Sequence, residues 1–489
     1  GKTALINRFV QDKPAIFYTA TENGAERNLK GLSASIARYR NGLNSVGSPV
    51  YEDYRDAFED VFRMAERDRL ILVIDEYPYL AKAEPMVSSL LQQLIDQHHG
   101  TGKLMLILSG SSMSFMERQV LGYQSPLYGR RTAQIKVMPF DYRESRGFVP
   151  DMGKEDAAVV YGITGGIPQY LIQFDDGVSL EENLRWNVLD PSAYLFEEPG
   201  KLLQEELRKP AEYNNIIQTI ASGASSGVKI ANGSHIEQTV LSHYLRNLSD
   251  LHIIVKETPY PEGSRRGIWR IEDLLFRFWY RYIPDNMSLI ESGHADIAVQ
   301  LIMKDLPNYM GGVFEDICRQ WLWANTATDR VPFLLTHMGR WWGGDPRTKR
   351  QEEIDIVADG KPSGRRLYCE CKWRGKSTDI PELEQLRYRS ALVDMERKDY
   401  MLFSKAGFTD RLRARAAEER AIGVVRGYVS RAECDAWFDH HIFGSCFRTL
   451  ILRDSAMSRK NGGISRLWDH ASQPRYRRVT NGPGASGVV

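Results

Sequence analysis

Glu370 and Lys372 stand two apart in Leu367-Tyr368-Cys369-Glu370-Cys371-Lys372-Trp373, an apolar run of strand character. Side chains alternate along a strand, so the carboxylate and the amine share one face. Asp355, upstream, lies in a second such run, Glu353-Ile354-Asp355-Ile356-Val357. Glu315 lies on Asn308–Trp323, where Met310, Val313, Phe314, Ile317, Trp321 and Leu322 recur at helical spacing. Hard carboxylate oxygens suit Mg²⁺, so Asp355 and Glu370 would hold one or two ions, with Glu315 as a further metal contact or a brace. Such an ion lowers the pKa of a water and clamps a phosphate. Lys372 would orient that water or stabilise charge forming on phosphorus, making Glu370 and Lys372 the expected catalytic pair. A salt-bridged strand pair in an inert α/β domain is the alternative.

A second set lies at the other end of the chain. Gly1-Lys2-Thr3 running into Ala4-Leu5-Ile6 reads as the end of a GxxxxGK[ST] phosphate loop entering a helix. Backbone N–H groups and the helix dipole would cradle phosphates there. Lys2 would reach the β- and γ-phosphates, and the Thr3 hydroxyl would sit on Mg²⁺. Leu70–Ile74 is a buried-strand run ending in Asp75-Glu76. Asp75 would hold the Mg²⁺ water shell and Glu76 would polarise the attacking water. Lys103–Gly110 is a further apolar strand, and Ser109 at its end is placed to sense a γ-phosphate. Arg130, before an expected strand at Thr132–Phe140, is a candidate for stabilising transition-state charge. An ordinary core strand and a surface arginine are the alternatives.

These segments must be positioned by strands alternating with helices. Ala15–Ala20 reads as a strand, then helices run from Gly24 to about Tyr39 and from about Val50 to Arg67. That alternation gives a parallel α/β sheet with its site at the strand C-termini.

Gly1-Lys2-Thr3, Ile74-Asp75-Glu76-Tyr77-Pro78-Tyr79-Leu80, Ser125-Pro126-Leu127-Tyr128-Gly129-Arg130-Arg131 and Gly165-Gly166-Ile167-Pro168-Gln169-Tyr170-Leu171 together resemble the prokaryotic archaeal-type P-loop ATPases, related to the AAA+/STAND group. The resemblance covers about residues 1–430. It implies an ATP-binding ATPase with ATP and Mg²⁺ bound through Gly1, Lys2, Thr3, Asp75 and Ser109. It also places the Gly-Gly-Ile-Pro segment in a small helical lid that closes on nucleotide binding. The first strand and the first five loop residues of that pattern do not stand in the sequence, so a truncated start is expected. The Glu315, Asp355, Glu370-x-Lys372 series resembles the PD-(D/E)xK nuclease fold.

Between these ends lies a third unit. Tyr213–Ala221 reads as a short helix, and Ser234–Leu251 carries Val240, Leu241, Tyr244, Leu245 and Leu248 at helical spacing. Strands His252–Glu257 and Ile268–Ile271 follow, separated by a Pro/Gly/basic turn with Arg265 and Arg266. This is a winged-helix pattern, which binds DNA through a basic helix and wing. The helix holds a single basic residue, Arg246, so a protein–protein module is the alternative. Phe276–Tyr282 has the spacing of a packed helix rather than of a base-stacking platform.

The expected architecture is therefore multidomain α/β. A P-loop NTPase parallel sheet spans 1–150, a helical lid 151–200, a winged helix 201–285 and a PD-(D/E)xK nuclease-like domain 300–431. An atypical tail spans 432–489, either a disordered extension or translation past a frameshift. The 489 residues suit two to four domains, with 42% hydrophobic and 26% charged residues. No apolar run approaches the roughly 18 residues a bilayer span needs, so no membrane partner is expected. A net charge of +1 gives no global pull toward nucleic acid, so a basic surface must be local. Five cysteines point to free thiols in a reducing, cytoplasmic setting. Cys369 and Cys371 flank Glu370 and face away from it into a core, while Cys434, His440, His441 and Cys446 fit no zinc pattern. The partners expected are ATP and DNA, with homo-oligomerisation left open. The function expected is an ATPase coupled to a DNA-binding or DNA-cleaving domain. The alternatives are an ATP-dependent switch with a non-cleaving domain, or an inactive fragment.

Overall fold

The computed structural model of the chain describes residues 1–42, 50–100, 102–110, 116, 120, 122–261, 267–393, 395–420 and 448–453. They form two compact units, one over 1–138 and one from Pro139 onward.

The first unit is built on three parallel strands in the order β1 (Ala15–Thr19), β2 (Leu70–Asp75) and β3 (Leu104–Leu108). Parallel strands need crossovers, which helices supply here. α1 (Lys2–Val10) precedes β1, α2 (Ala25–Asn41) and α3 (Tyr54–Arg67) join β1 to β2, and α4 (Tyr77–Ala83) and α5 (Met86–Gln97) join β2 to β3. Every residue of β2 is buried, as an unbroken Leu-Ile-Leu-Val-Ile-Asp run requires. Leu72 and Ile74 pack with Leu32, Phe58, Val61, Leu91 and Leu94. Ile71 and Val73 face the other way, onto Val10 and Ile6 of α1. The Asp53 side chain caps α3 by accepting from the Asp56 N–H at 2.9 Å.

Thr132–Phe140 is the exception to the expected pattern. It forms no strand, and nearly all of it is exposed. Among the described residues the outer edge of β3 stays unpaired, and this segment does not join it.

In the second unit, α6 (Lys154–Thr164), α7 (Leu180–Asn187) and α8 (Tyr194–Glu206) pack on α12 (Leu274–Glu291) and α13 (Ala295–Asn325). One apolar core joins these helices to a face of the C-terminal sheet through Phe314, Ile317, Leu322, Ile356, Cys369 and Phe403. The Gly-Gly-Ile-Pro segment ends α6. Gly165 and Gly166 stand at φ +60° and +75°, and a Cβ on Gly166 would lie 1.9 Å from the Phe140 carbonyl oxygen. Only glycine fits such a backbone approach.

α9 (Pro210–Ala221), α10 (Gly227–Ser234) and α11 (Gln238–Asp250) precede an antiparallel hairpin of β4 (Ile254–Glu257) and β5 (Ile268–Ile271). The expected helix from Ser234 is instead broken at His235, whose φ of +57° lies in the left-handed region. Leu241, Leu245 and Leu248 face the small core, but Val240 is 46% exposed and does not. Arg265 and Arg266 lie outside the described residues. Phe276, Phe278, Tyr280 and Tyr282 of α12 are buried, as their spacing requires.

The C-terminal sheet is mixed, in the order β10-β9-β8-β7-β6. β6 (Leu334–Gly344), β7 (Gln351–Lys361) and β8 (Arg365–Lys372) run antiparallel as a meander. α14 (Ile380–Ser390) crosses over to β9 (Arg397–Ser404), which is parallel to β8, and a further helix, Asp410–Arg420, follows. β10 (Arg448–Arg453) pairs antiparallel with β9. The apolar Leu450-Ile451-Leu452 run thus gives the expected tail a strand. The rest of that tail, with Cys434, His440, His441 and Cys446, lies outside the described residues.

Candidate functional site

At the first unit's strand ends, the fold gathers residues distant in sequence. Thr3 stands in the first turn of α1, and its hydroxyl donates to Asp75 Oδ2 at 2.8 Å. The Ser109 hydroxyl donates to Asp75 Oδ1. Asp75 is buried at the C-terminus of β2, so one carboxylate joins the α1 entry, the central strand and the end of β3. The Ser109 carbonyl also accepts from the Tyr77 N–H at 2.8 Å, tying β3 to the turn after Asp75. Glu76, in that turn, has a φ of +51°. A non-glycine residue held there costs about 1–3 kcal/mol, and such strain clusters at functional sites.

Lys2 is half-buried one residue before Thr3, and Gly1 caps α1, whose first N–H groups could hold an anion. A threonine hydroxyl paired to a buried aspartate is the donor set a hydrated Mg²⁺ would take, so Thr3 and Asp75 fit that ion. Arg130 is not joined to this group. Its guanidinium forks onto Asp96 at 2.8 and 2.7 Å and also reaches the Pro126 carbonyl. Ser111 and Ser112 lie outside the described residues.

On the C-terminal sheet, Ile356 pairs with Cys369. Asp355 and Glu370 follow that pair on the two strands, where β7 bulges between Ile354 and Val357, and the two carboxylates act on each other electrostatically. Asp355 and Glu370 are buried, and the Cys371 N–H donates to Asp355 Oδ2 at 2.7 Å. Lys372 Nζ pairs with Glu370 Oε1, as side chains two apart on a strand can. Burial pushes the Asp355 carboxyl well above its ordinary range, and the charges of Glu370 and Glu315 add to that. Burial likewise raises Glu315 to about 7, against the pull of Arg340 and Arg319. Burial disfavours the Lys372 ammonium, but the Glu370 carboxylate outweighs it and the pKa rises. Three carboxylates from α13, β7 and β8 therefore share one low-dielectric patch.

Among the described residues, no three His, Cys, Asp or Glu side chains converge closely enough to hold a metal ion between them. Asp355 and Glu370 form a pair, and Glu315 reaches them through its field. Mg²⁺ keeps several waters and binds through one or two carboxylates plus substrate phosphates, so this pair fits it. Cys318, Cys369 and Cys371 are buried free thiols, and Cys369 and Cys371 alternate with Glu370 along β8.

Sequence reasoning missed Arg389. Its Nε donates to Glu352 at 2.8 Å, and its Nη1 lies 3.3 Å from both Glu370 oxygens. It sits one residue before the end of α14, and nothing in Arg387-Tyr388-Arg389 separates this arginine from a surface one. Arg319 was also missed. It bridges Glu315 at 3.4 Å and pairs with Asp316, which Arg277 meets at 3.4 Å.

Residues 1–174 match a domain family described as an ATPase domain predominantly from Archaea. Residues 279–383 match one described as archaeal and bacterial proteins of unknown function. An uncharacterized protein of Methanocaldococcus jannaschii is 32% identical over 405 residues, covering 81% of this chain and 86% of that protein. Among solved structures, the Walker-type ATPase of Pyrococcus abyssi overlaps at 21% identity and a TM-score of 0.43, covering 57% of this chain and 88% of that one. The ORC2 protein of Aeropyrum pernix, solved with ADPNP and ADP, overlaps at 14% and 0.35, covering 60% and 83%. At those TM-scores neither likeness bears on the fold.

Proposed function

Because the chain belongs to the same family as the Methanocaldococcus protein and carries an ATPase domain of the predominantly archaeal kind over residues 1–174, we propose that its ATP turnover serves a metal-dependent phosphodiester site on the C-terminal sheet, with DNA as the substrate. The observation that carries this is the charge cluster of Asp355, Glu370 and Lys372, in which Lys372 pairs with Glu370 and the charges of Glu370, Glu315 and Lys372 act on Asp355. The order helix, three-strand meander, helix, parallel strand is consistent with the PD-(D/E)xK nuclease fold.

In the ATPase unit, Lys2 and the α1 N-terminus would hold the phosphates. Thr3 and Asp75 would hold Mg²⁺, whose charge offsets that developing on the transferred phosphoryl oxygens. Asp75 is kept in place by Ser109. Glu76, beside it, would accept the proton of the attacking water. In the C-terminal site, Asp355 and Glu370 would hold the divalent ion, which supplies an acidic water and a clamp on phosphate. Lys372 would place its ammonium against the developing negative charge on phosphorus. α9 to α11 with the β4–β5 hairpin would act as a winged helix that brings DNA to the protein, and an AAA+/STAND-like switch would couple the two activities.

The test is cleavage of plasmid and single-stranded DNA in Mg²⁺ or Mn²⁺, with and without ATP, by the full chain. Cleavage that Asp355→Ala and Lys372→Ala both abolish supports the reading. ATP turnover without cleavage overturns it. A second reading, a C-terminal domain that binds DNA without cutting it, is favoured by the pairing of Glu370 with two cations, Lys372 and Arg389.

A further inference from the structure

Glu370 is more heavily engaged than a metal ligand needs to be. Lys372 takes Oε1, and Arg389 Nη1 sits equidistant from both oxygens at 3.3 Å. Arg389 is itself anchored twice. Its Nε is held by Glu352, on β7, at 2.8 Å. Its backbone is held by the end of α14, where Ser390 Oγ meets the Tyr400 hydroxyl at 3.0 Å and Lys398 Nζ donates to the Ser390 carbonyl at 2.7 Å. Leu383 and Leu386, both fully buried, seat the same helix against β7 to β9.

The guanidinium thus has one fixed edge, on Glu352, and one edge on the carboxylate expected to take a divalent ion. A cation approaching Glu370 must displace the Nη1 contact. The Nε–Glu352 bond keeps Arg389 beside the site once that happens, with its outer N–H groups turned toward whatever anion follows. Arginine suits this because its planar fork presents donors to a carboxylate and a phosphate alike.

We propose that Arg389 is a positioning residue that competes with the divalent ion for Glu370 and, tethered by Glu352, turns to the substrate phosphate when the ion enters. This rests on the reading of Asp355 and Glu370 as metal ligands. The pairing sets a threshold: the ion binds well only when a phosphodiester is present to receive the released guanidinium.

Mn²⁺ titration by calorimetry on the full chain, without nucleotide or DNA, tests this. Wild type should bind weakly, and Asp355→Ala should abolish that binding. Arg389→Gln should bind Mn²⁺ about ten-fold tighter, since one charge-assisted contact no longer competes. The same variant should cleave DNA more slowly even at saturating Mn²⁺, because the phosphate contact is lost. Arg389→Lys keeps the charge without the fork and should fall between the two. It also keeps the test open if the glutamine variant does not fold. An Asp355-dependent affinity that neither variant tightens overturns the proposal and leaves the metal reading standing. Absence of Asp355-dependent binding in wild type and variants sinks both.

Discussion

At the scale of single residues, the proposed function gives Asp75 and Glu76 separable duties. Asp75 ties Thr3 to Ser109, so Asp75→Asn should weaken Mg²⁺-ATP binding as well as turnover. Glu76 sits in a left-handed turn beyond that carboxylate. Glu76→Gln should leave nucleotide affinity near wild type and slow phosphate release about 100-fold or more, the scale of a lost general base. Equal loss of binding in both variants, measured with a fluorescent ATP analogue, would remove the distinction. Arg130 is held by Asp96 in the described structure, and Arg130→Ala affecting stability rather than turnover would assign it to packing.

At the scale of elements, two junctions can be tested. Gly166 closes α6 against the Phe140 backbone, where a Cβ has no room. Gly166→Ala should destabilise the second unit by about 3–5 kcal/mol, combining left-handed strain with a backbone clash. Urea unfolding checks this. Asp345, after β6, accepts from the Tyr388 hydroxyl at 2.5 Å, the Thr348 hydroxyl at 2.7 Å and the Arg347 N–H at 2.9 Å. These bonds, the Tyr388 hydroxyl first, hold its carboxyl down to about 2. A carboxylate whose folded pKa is depressed stabilises the fold above its unfolded pKa, near 4, and loses that contribution as pH falls toward 2. Asp345→Asn should therefore be less stable than wild type at pH 6, with the gap closing between about pH 4 and 2. A gap that stays constant through that range would show that the charge is irrelevant.

At the scale of the molecule, the chain has two compact units with separate cores. A ligand stabilises the unit that binds it, by about 2.7 kcal/mol at a concentration of 100 Kd. Calorimetry of the full chain should resolve two transitions. Mg²⁺-ATP should raise the one belonging to residues 1–138, and Asp75→Asn should cancel that rise. A single transition that moves as a whole would mean the units unfold together.

The sequence by itself determined the local elements and the residues within them. Leu70–Asp75 is apolar throughout because β2 is covered on both faces, and Glu370-x-Lys372 shares a face because strand side chains alternate. It also determined that Cys369 and Cys371 turn inward. What it left open depends on contacts between distant segments. Thr132–Phe140 has strand-like residues, but whether it joins the free edge of β3 depends on tertiary contacts, which local pattern does not encode. Ser234 to Leu251 has helical spacing throughout, yet the backbone turns at His235 to start a second helix. The tertiary structure alone decided that Asp355 comes within the field of Glu370, that Ser109 and Thr3 meet on Asp75, and that Arg389 reaches Glu370 from a helix. Charge and burial act through space. An arginine 19 positions away in sequence becomes part of the site only when a crossover helix brings it back over the sheet.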